Sequence, residues 1–218
     1  VANYKELKLA FNNAKNISLE KRVIVEEFID GKEISVEALS YNKTHKVLSL
    51  TDKKTTGGPF FVELEHHQPS FLSNEIKERI IVLTNKALQS LHIEYGASHS
   101  EFKITESGEI YVIEVGARMG GDFIGSHLVQ LSTGYDYLKG VIDVALNRFT
   151  KPILKTHKES YSGVYFLSEE TERLLNYFEC DQDYIIEKKI MNTNLKFLKE
   201  SNDRSGFIIY KSSKKIKL

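Results

Sequence analysis

The chain has 218 residues, 41% hydrophobic and 28% charged, the balance of an ordinary globular protein with one large domain or two small ones. Thirty basic residues offset thirty acidic ones, which excludes a global field that would recruit nucleic acid or an anionic membrane. The single cysteine, Cys180, excludes an internal disulfide framework, fits a reducing cytoplasm and reads as an inert core thiol. No apolar run approaches the ~20 residues of a membrane span, and no secretory signal pattern is visible. The chain begins with Val1 rather than methionine, so it is expected to be a fragment holding only part of an active site.

In chain order, Asn3 with Glu6 predicts a helix cap, followed by Leu7, Ala10, Phe11 and Ala14 at helical spacing. Residues 23–29 read as a strand, Asp30-Gly31 as a tight turn, and residues 33–40 as its antiparallel partner. A strand over residues 46–52 follows the polar turn at 41–44. Residues 53–70 have few periodic apolar positions and carry Gly57-Gly58-Pro59, which predicts a long mobile loop. Such loops usually serve as lids or binding elements.

A helix is predicted over residues 74–92, with Ile76, Ile80, Leu83, Ala87, Leu88 and Leu91 on one face. A hairpin follows, then helices from near Asp122 and over residues 135–147, with Pro152 marking a boundary. Beyond it come strands at 161–167, 184–189 and 206–210, a short helix capped by Ser168, and a frayed basic tail at 211–218. This pattern predicts two units, residues 1–150 and a smaller α+β module at 151–218. The fold class is α+β with an antiparallel sheet, because the regular βαβ rhythm of a doubly wound fold is missing.

The hairpin carries the chemistry. A turn centred on Ser107-Gly108 opposes residues whose numbers sum to 215, among them Glu101 and Glu114. Directly opposed residues have Cβ atoms ~5 Å apart on one face. At an effective dielectric of ~20, two carboxylates at that distance repel by ~3 kcal/mol. A half-buried cleft keeps such a pair when a cation holds it, and magnesium binds through one or two carboxylates plus substrate phosphates. Arg118 could clamp a phosphoryl oxygen beside them. The alternative is a solvated strand face on which Arg118 merely pairs with one glutamate.

Met119-Gly120-Gly121-Asp122 then leads into a predicted helix, whose free amides would favour an anion. Neither a Walker A sequence nor GxGxxG occurs, and no GxSxG elbow is present. His66-His67 are adjacent and no cysteine joins His92 or His99, so no zinc pattern forms.

Taken together, VIVEEFIDGKEISVEAL, the Glu101–Glu114 hairpin, EVGARMGGD and NDRSGFIIY resemble the ATP-grasp superfamily, nearest its carboxylate–amine ligases and carbamoyl-phosphate-synthase-like members. The resemblance implies that the backbone at Glu26, Glu27, Phe28 and Ile29 reads the adenine edge of ATP and that Glu33 accepts hydrogen bonds from the ribose hydroxyls. The alternatives are a solvent-facing Glu26–Glu27 pair and an ordinary hairpin glutamate at Glu33. It further implies that Glu101 and Glu114 coordinate Mg²⁺, with Mn²⁺ as a substitute, and that Arg118 stabilises the transferring phosphoryl group. The loop bearing Lys53 and the step from His66 to Pro69 would cover the substrate. Gly120, Gly121 and Asp122 would line its site, although His66 also reads as a surface histidine.

Two positions depart from the family pattern: Gly116 stands where many relatives have asparagine, and Lys103 where they place an apolar residue near adenine. The front lobe with its lysine strand and phosphate loop would precede Val1. The implied activity is ATP-dependent joining of a carboxylate to an amine in the cytoplasm, on small-molecule substrates, without nucleic acid or membrane and compatible with a homodimer. Competing readings are bicarbonate phosphorylation and a non-catalytic nucleotide-binding module.

Overall fold

The computed structural model describes residues 1–154 and 160–218. Its centre is one sheet of eight antiparallel strands: β1 (Lys32–Tyr41), β2 (Thr44–Thr55), β3 (Glu63–Gln68), β4 (Gly96–Ile104), β5 (Ile110–Gly116), β6 (Tyr161–Leu167), β7 (Ile185–Ile190) and β8 (Gly206–Ser212). Their spatial order is β5-β4-β1-β2-β3-β6-β8-β7, so the strands beyond residue 160 continue the same sheet through the β3–β6 pair. The two-residue turn between β1 and β2 is possible because Asn42 and Lys43 both take left-handed conformations, φ 46° and 64°, which match the twist of a tight hairpin.

Among the described residues four α-helices accompany the sheet: α1 (Tyr4–Ile17), α2 (Asn74–Ser90), α3 (Val129–Thr133) and α4 (Tyr137–Ala145). The Asn3 side chain accepts from the Glu6 amide and caps α1, as its sequence predicts, and Ser73 caps α2 through the Ile76 amide. Side chains alternate across the sheet, so each strand feeds both faces. On one face Ile34, Val36, Leu50, Phe102 and Ile104 pack against Ile80 of α2. On the other, Leu39, Leu48 and Ala97 pack under Val129, Tyr137 and Val144 of α3 and α4. A second cluster there joins Ile124 and Leu128 to Val164, Phe166, Phe207 and Ile209. Between these two clusters the same face is polar, and the candidate site lies there.

Several expectations are corrected. Residues 23–29 belong to no strand, because β2 and β4 already occupy both edges of β1. The long loop shrinks to residues 56–62, closed by Thr56 N to Val62 O at 2.8 Å and Phe61 N to Gly57 O at 2.9 Å. Lys53 lies in β2, and ELEHHQ is strand β3, whose buried His66, His67 and Gln68 leave no apolar alternation to read. Gln68 instead donates to Thr51 Oγ1 at 2.9 Å, and His67 lies between Glu65 and the Tyr210 hydroxyl.

The predicted helix at Asp122 begins as a single π-turn, Ile124–Leu128, after two left-handed residues, Asp122 (φ 49°) and Phe123 (φ 66°). The basic tail is docked rather than frayed. Leu218 is buried, and Tyr165 donates its hydroxyl to Ile216 O at 2.7 Å. Cys180 is exposed and is no core thiol. No helix among the described residues is long and apolar enough to cross a membrane.

Candidate active site

The register of β1 builds the site. It sets Glu33 opposite Lys103, Ser35 opposite Glu101 and Glu37 opposite His99 on β4. On its other side Ile34 faces Asp52, which brings Lys53 beside Glu33, and Lys53 in turn faces His66 of β3. Lys53 Nζ lies 2.7 Å from Glu33 Oε1, 2.7 Å from Glu101 Oε1 and 3.6 Å from Glu63 Oε1, with 4% of its side chain exposed. Burial alone would pull the ammonium towards neutrality. Glu101 and Glu33 outweigh it and hold the pKa above the ordinary lysine value.

His99 lies between two carboxylates, Nδ1 on Glu37 Oε1 and Nε2 3.1 Å from Glu101 Oε1. Only an imidazolium can donate from both nitrogens. Burial opposes that charge, but the hydrogen bonds to Glu101 and Glu37 prevail and raise the pKa to about 9. The His99 hydrogen bond is also the main reason that Glu101 falls to about 2, against its burial and with help from Lys53.

These shifts give a pH profile. His99 is raised above its ordinary 6.5, so its contribution to stability is complete below that value and is lost as pH rises through about 9. Glu101 is depressed below 4.5, so its contribution is complete above 4.5 and is lost as pH falls towards 2. Urea midpoints should therefore decline from pH 6.5 to 9, and His99→Gln should flatten that limb. An alkaline decline that persists unchanged in His99→Gln would assign it to other groups.

Glu101 and Glu114 are opposed, as the sequence predicts, but by a different route. Nearer the turn the pairs are Phe102–Val112 and Ile104–Ile110, one residue out of the predicted register. A bulge at Ile113, between Val112 and Glu114, restores the Glu101–Glu114 pair. The two carboxylates then differ. Glu101 has 22% of its side chain exposed, whereas Glu114 has 58% and lies 3.8 Å from Arg118. Arg118 also donates to Met119 O at 3.0 Å, so the predicted Arg–Glu pairing on a solvated face holds for Glu114 alone.

Among the described residues no group of three or more His, Cys, Asp or Glu could hold a metal unaided. Glu101 gives Oε1 to both Lys53 and His99, and Oε2 has no hydrogen bond among the described residues. One free carboxylate oxygen opposite a second, exposed carboxylate is a hard, incomplete donor set. It fits a Mg²⁺ ion that keeps water and phosphate oxygens in its other positions.

Two hollows flank this centre. A cleft of about 400 Å³ is lined by Glu26, Glu27, Phe28, Ile29, Glu33, Phe61, Lys103, Tyr111, Val112 and Ile113. Its Phe28 and Phe61 rings lie 5.6 Å apart, and Lys103 Nζ lies 5.9 Å from each ring and 3.5 Å from Glu33 Oε2. Since residues 26–29 join no ladder, their amides and carbonyls are available to a ligand. The second hollow, about 250 Å³, is polar and includes Lys53, Glu63, His66, His99, Glu101, Arg118, Gly121 and Asp122.

The Gly120-Gly121-Asp122 turn differs from its predicted role as an open helix terminus. The Gly120 amide donates to Glu37 Oε2 at 2.9 Å, and the Ile124 and Gly125 amides bond back to Gly121 O and Gly120 O. Gly120 is needed for this close approach, since a Cβ there would lie 2.4 Å from Glu37 Oε1. His66 is 1% exposed rather than superficial, and burial lowers its pKa. Glu37, His99, Glu63 and Arg204 escaped the sequence reading. The first two had a signal, the alternation of polar residues at Glu33, Ser35 and Glu37 and at His99, Glu101 and Lys103 inside otherwise apolar strands.

The family model described as ATP-grasp domain matches residues 2–126. Alanine–anticapsin ligase of Bacillus subtilis is 29% identical over 124 residues, covering 51% of this chain and 26% of that protein. D-alanine–D-alanine ligase of Flavobacterium johnsoniae is 28% identical over 102 residues, covering 44% of this chain and 31% of that one. The solved L-amino acid ligase from Bacillus licheniformis superposes with a TM-score of 0.76 at 26% identity, over 98% of this chain and 55% of its own. The chain thus spans 26–31% of these two curated relatives.

Proposed function

The chain belongs to the ATP-grasp family, and from that premise we propose that the protein is an ATP- and magnesium-dependent ligase joining a carboxylate to an amine through an acyl phosphate. The observation that carries the reading is the run of charge along one sheet face. It links the apolar cleft at residues 26–29, through Glu33, Lys53 and Glu101, to the polar hollow at His66 and Asp122. Likeness to ligases whose names specify alanine and L-amino acids favours an amino acid over bicarbonate as the phosphorylated acid.

In this reading the unpaired backbone at residues 26–29 holds the adenine edge, and Glu33 accepts from the ribose hydroxyls. Glu101 and Glu114 hold magnesium, which when bound neutralises polyphosphate charge. Arg118, exposed and permanently charged, meets the phosphoryl group as its charge develops. Lys53 fixes Glu33 and Glu101 relative to one another, so the ribose and metal ends of the nucleotide share one frame. The polar hollow receives the acid, and catalysis is positioning and electrostatics. Residues 1–150 form the ATP-grasp portion and residues 151–218 a small module on the same sheet. A reducing cytoplasm, where ATP is supplied, suits the exposed Cys180.

The test is ADP release from ATP and Mg²⁺ with each of the twenty amino acids and with bicarbonate. At least one amino acid should stimulate release about tenfold or more over ATP alone, an advantage of ~1.4 kcal/mol in the barrier. Stimulation by bicarbonate alone, or none at all, would defeat the proposal.

A further inference from the structure

Arg204 precedes β8, far from the hairpin in sequence, yet its guanidinium reaches the polar hollow from behind. Nη2 donates to Glu63 Oε2 at 2.9 Å, Nε to the Glu63 carbonyl at 3.2 Å, and Nη1 to Asp122 Oδ1 at 2.8 Å. The group is stacked 3.8 Å over the Phe166 ring, and its side chain is 6% exposed. It therefore has a fixed place, and it clamps two walls of the hollow that lie 59 positions apart in the chain.

The clamp takes only one oxygen of each carboxylate. The other oxygen of Glu63, Oε1, has Lys53 at 3.6 Å, and the other oxygen of Asp122, Oδ2, has His66 at 3.7 Å. Both distances exceed hydrogen-bond length. Asp122 also sits at φ 49° beside Phe123 at φ 66°, a conformation that persists only when its surroundings hold it. His66, 1% exposed, has no hydrogen-bond partner for Nδ1 among the described residues.

We propose that Arg204 is a positioning residue for substrate. It turns towards the hollow one oxygen each of Glu63 and Asp122 that no hydrogen bond among the described residues occupies, and these accept hydrogen bonds from the ammonium group of the amino acid whose carboxylate is phosphorylated. This rests on the ligase reading. It gives the segment beyond residue 160 a part in substrate selection, because the guanidinium comes from that segment. Lysine cannot substitute, since its ammonium lacks the planar fork that spans two carboxylates.

The test compares the amino acid that gives most ADP release with its des-amino carboxylic acid, in wild type and Arg204→Lys. Wild type should prefer the amino acid strongly. In Arg204→Lys that preference should shrink about tenfold or more, with KM for ATP changed less than about threefold. A structural role alone would lower activity on both acids equally, and that result, or an unchanged preference, overturns the proposal. If Arg204→Lys does not fold, Asp122→Asn is read by the same ratio, since it leaves the Arg204–Glu63 contacts in place. Wild type that releases no ADP with any amino acid overturns the ligase reading and this inference together. A wild type that ligates with an unaltered ratio in the variants overturns this inference alone.

Discussion

Glu114→Gln should lower amino-acid-dependent ADP release by about 10²-fold or more, while the melting temperature moves by less than about 4 °C. The two halves of this expectation have separate causes. Glu114 has 58% of its side chain exposed, and its one ion pair, to Arg118, spans 3.8 Å. Exposed pairs of this kind contribute at most about 1 kcal/mol, so the fold loses little. Glutamine keeps the shape but removes the negative charge through which Glu114, in the proposed role, would hold magnesium. Glu101→Gln should lose the same activity and, unlike Glu114→Gln, should also destabilise the chain. Its Oε1 is shared by Lys53 and His99, two buried cations that would lose their common anion. Undiminished turnover in Glu114→Gln, measured by coupled ADP detection, would remove it from the site. Equal melting shifts in the two variants would refute the asymmetry.

How far the site was legible depended on what each residue uses as its partner. The opposition of Glu101 and Glu114 could be read from a turn signal and a period of two, although the bulge at Ile113 could not. A predicted register shifted by one residue and an unseen bulge compensated each other. Strand β3 was illegible because His66, His67 and Gln68 are buried by side-chain hydrogen bonds and charge, and hydropathy periodicity registers only apolar burial. The reverse error arose at residues 23–29. Their composition favours a strand, yet a ladder also requires a free edge, and β1 has none to offer. That same lack of a strand partner leaves their backbone open to the cleft as a candidate ligand surface.

Lys53 and Arg204 illustrate the remaining gap. By sequence Lys53 reads as part of a loop that covers substrate, but it stands in β2, where its ammonium pairs with Glu33. Arg204 lies in the NDRSGFIIY segment, but nothing local gives it a role in the site, because its partners Glu63, Asp122 and Phe166 come from three separate stretches of chain. Charged residues buried by long-range pairing leave no local pattern. In this chain those residues connect the two hollows, which is why the architecture was more legible than the wiring of the site.

Lys53→Met should cost about 3–5 kcal/mol of stability, the usual consequence of removing one partner from a buried ionic cluster. For a chain of this size that corresponds to a fall in melting temperature of about 6–20 °C. Methionine fills similar volume, so the loss reflects charge rather than a cavity. Glu33, Glu101 and Glu63 converge on this ammonium, and without it they face one another with less compensation. Their repulsion would raise their folded-state pKa values above the unfolded ones, so protonation would then stabilise the fold. The variant should therefore recover stability as pH is lowered from 6.5 towards 5. Wild type should not, because the contribution of His99 is complete below 6.5 and that of Glu101 is complete above 4.5. Adding Glu101→Gln to Lys53→Met should restore part of the loss, since the second substitution removes one of the stranded charges. Urea unfolding across that pH range decides the matter. A loss independent of pH, or a double variant no more stable than Lys53→Met alone, would mean that Lys53 acts through packing and that the three carboxylates are held by other means.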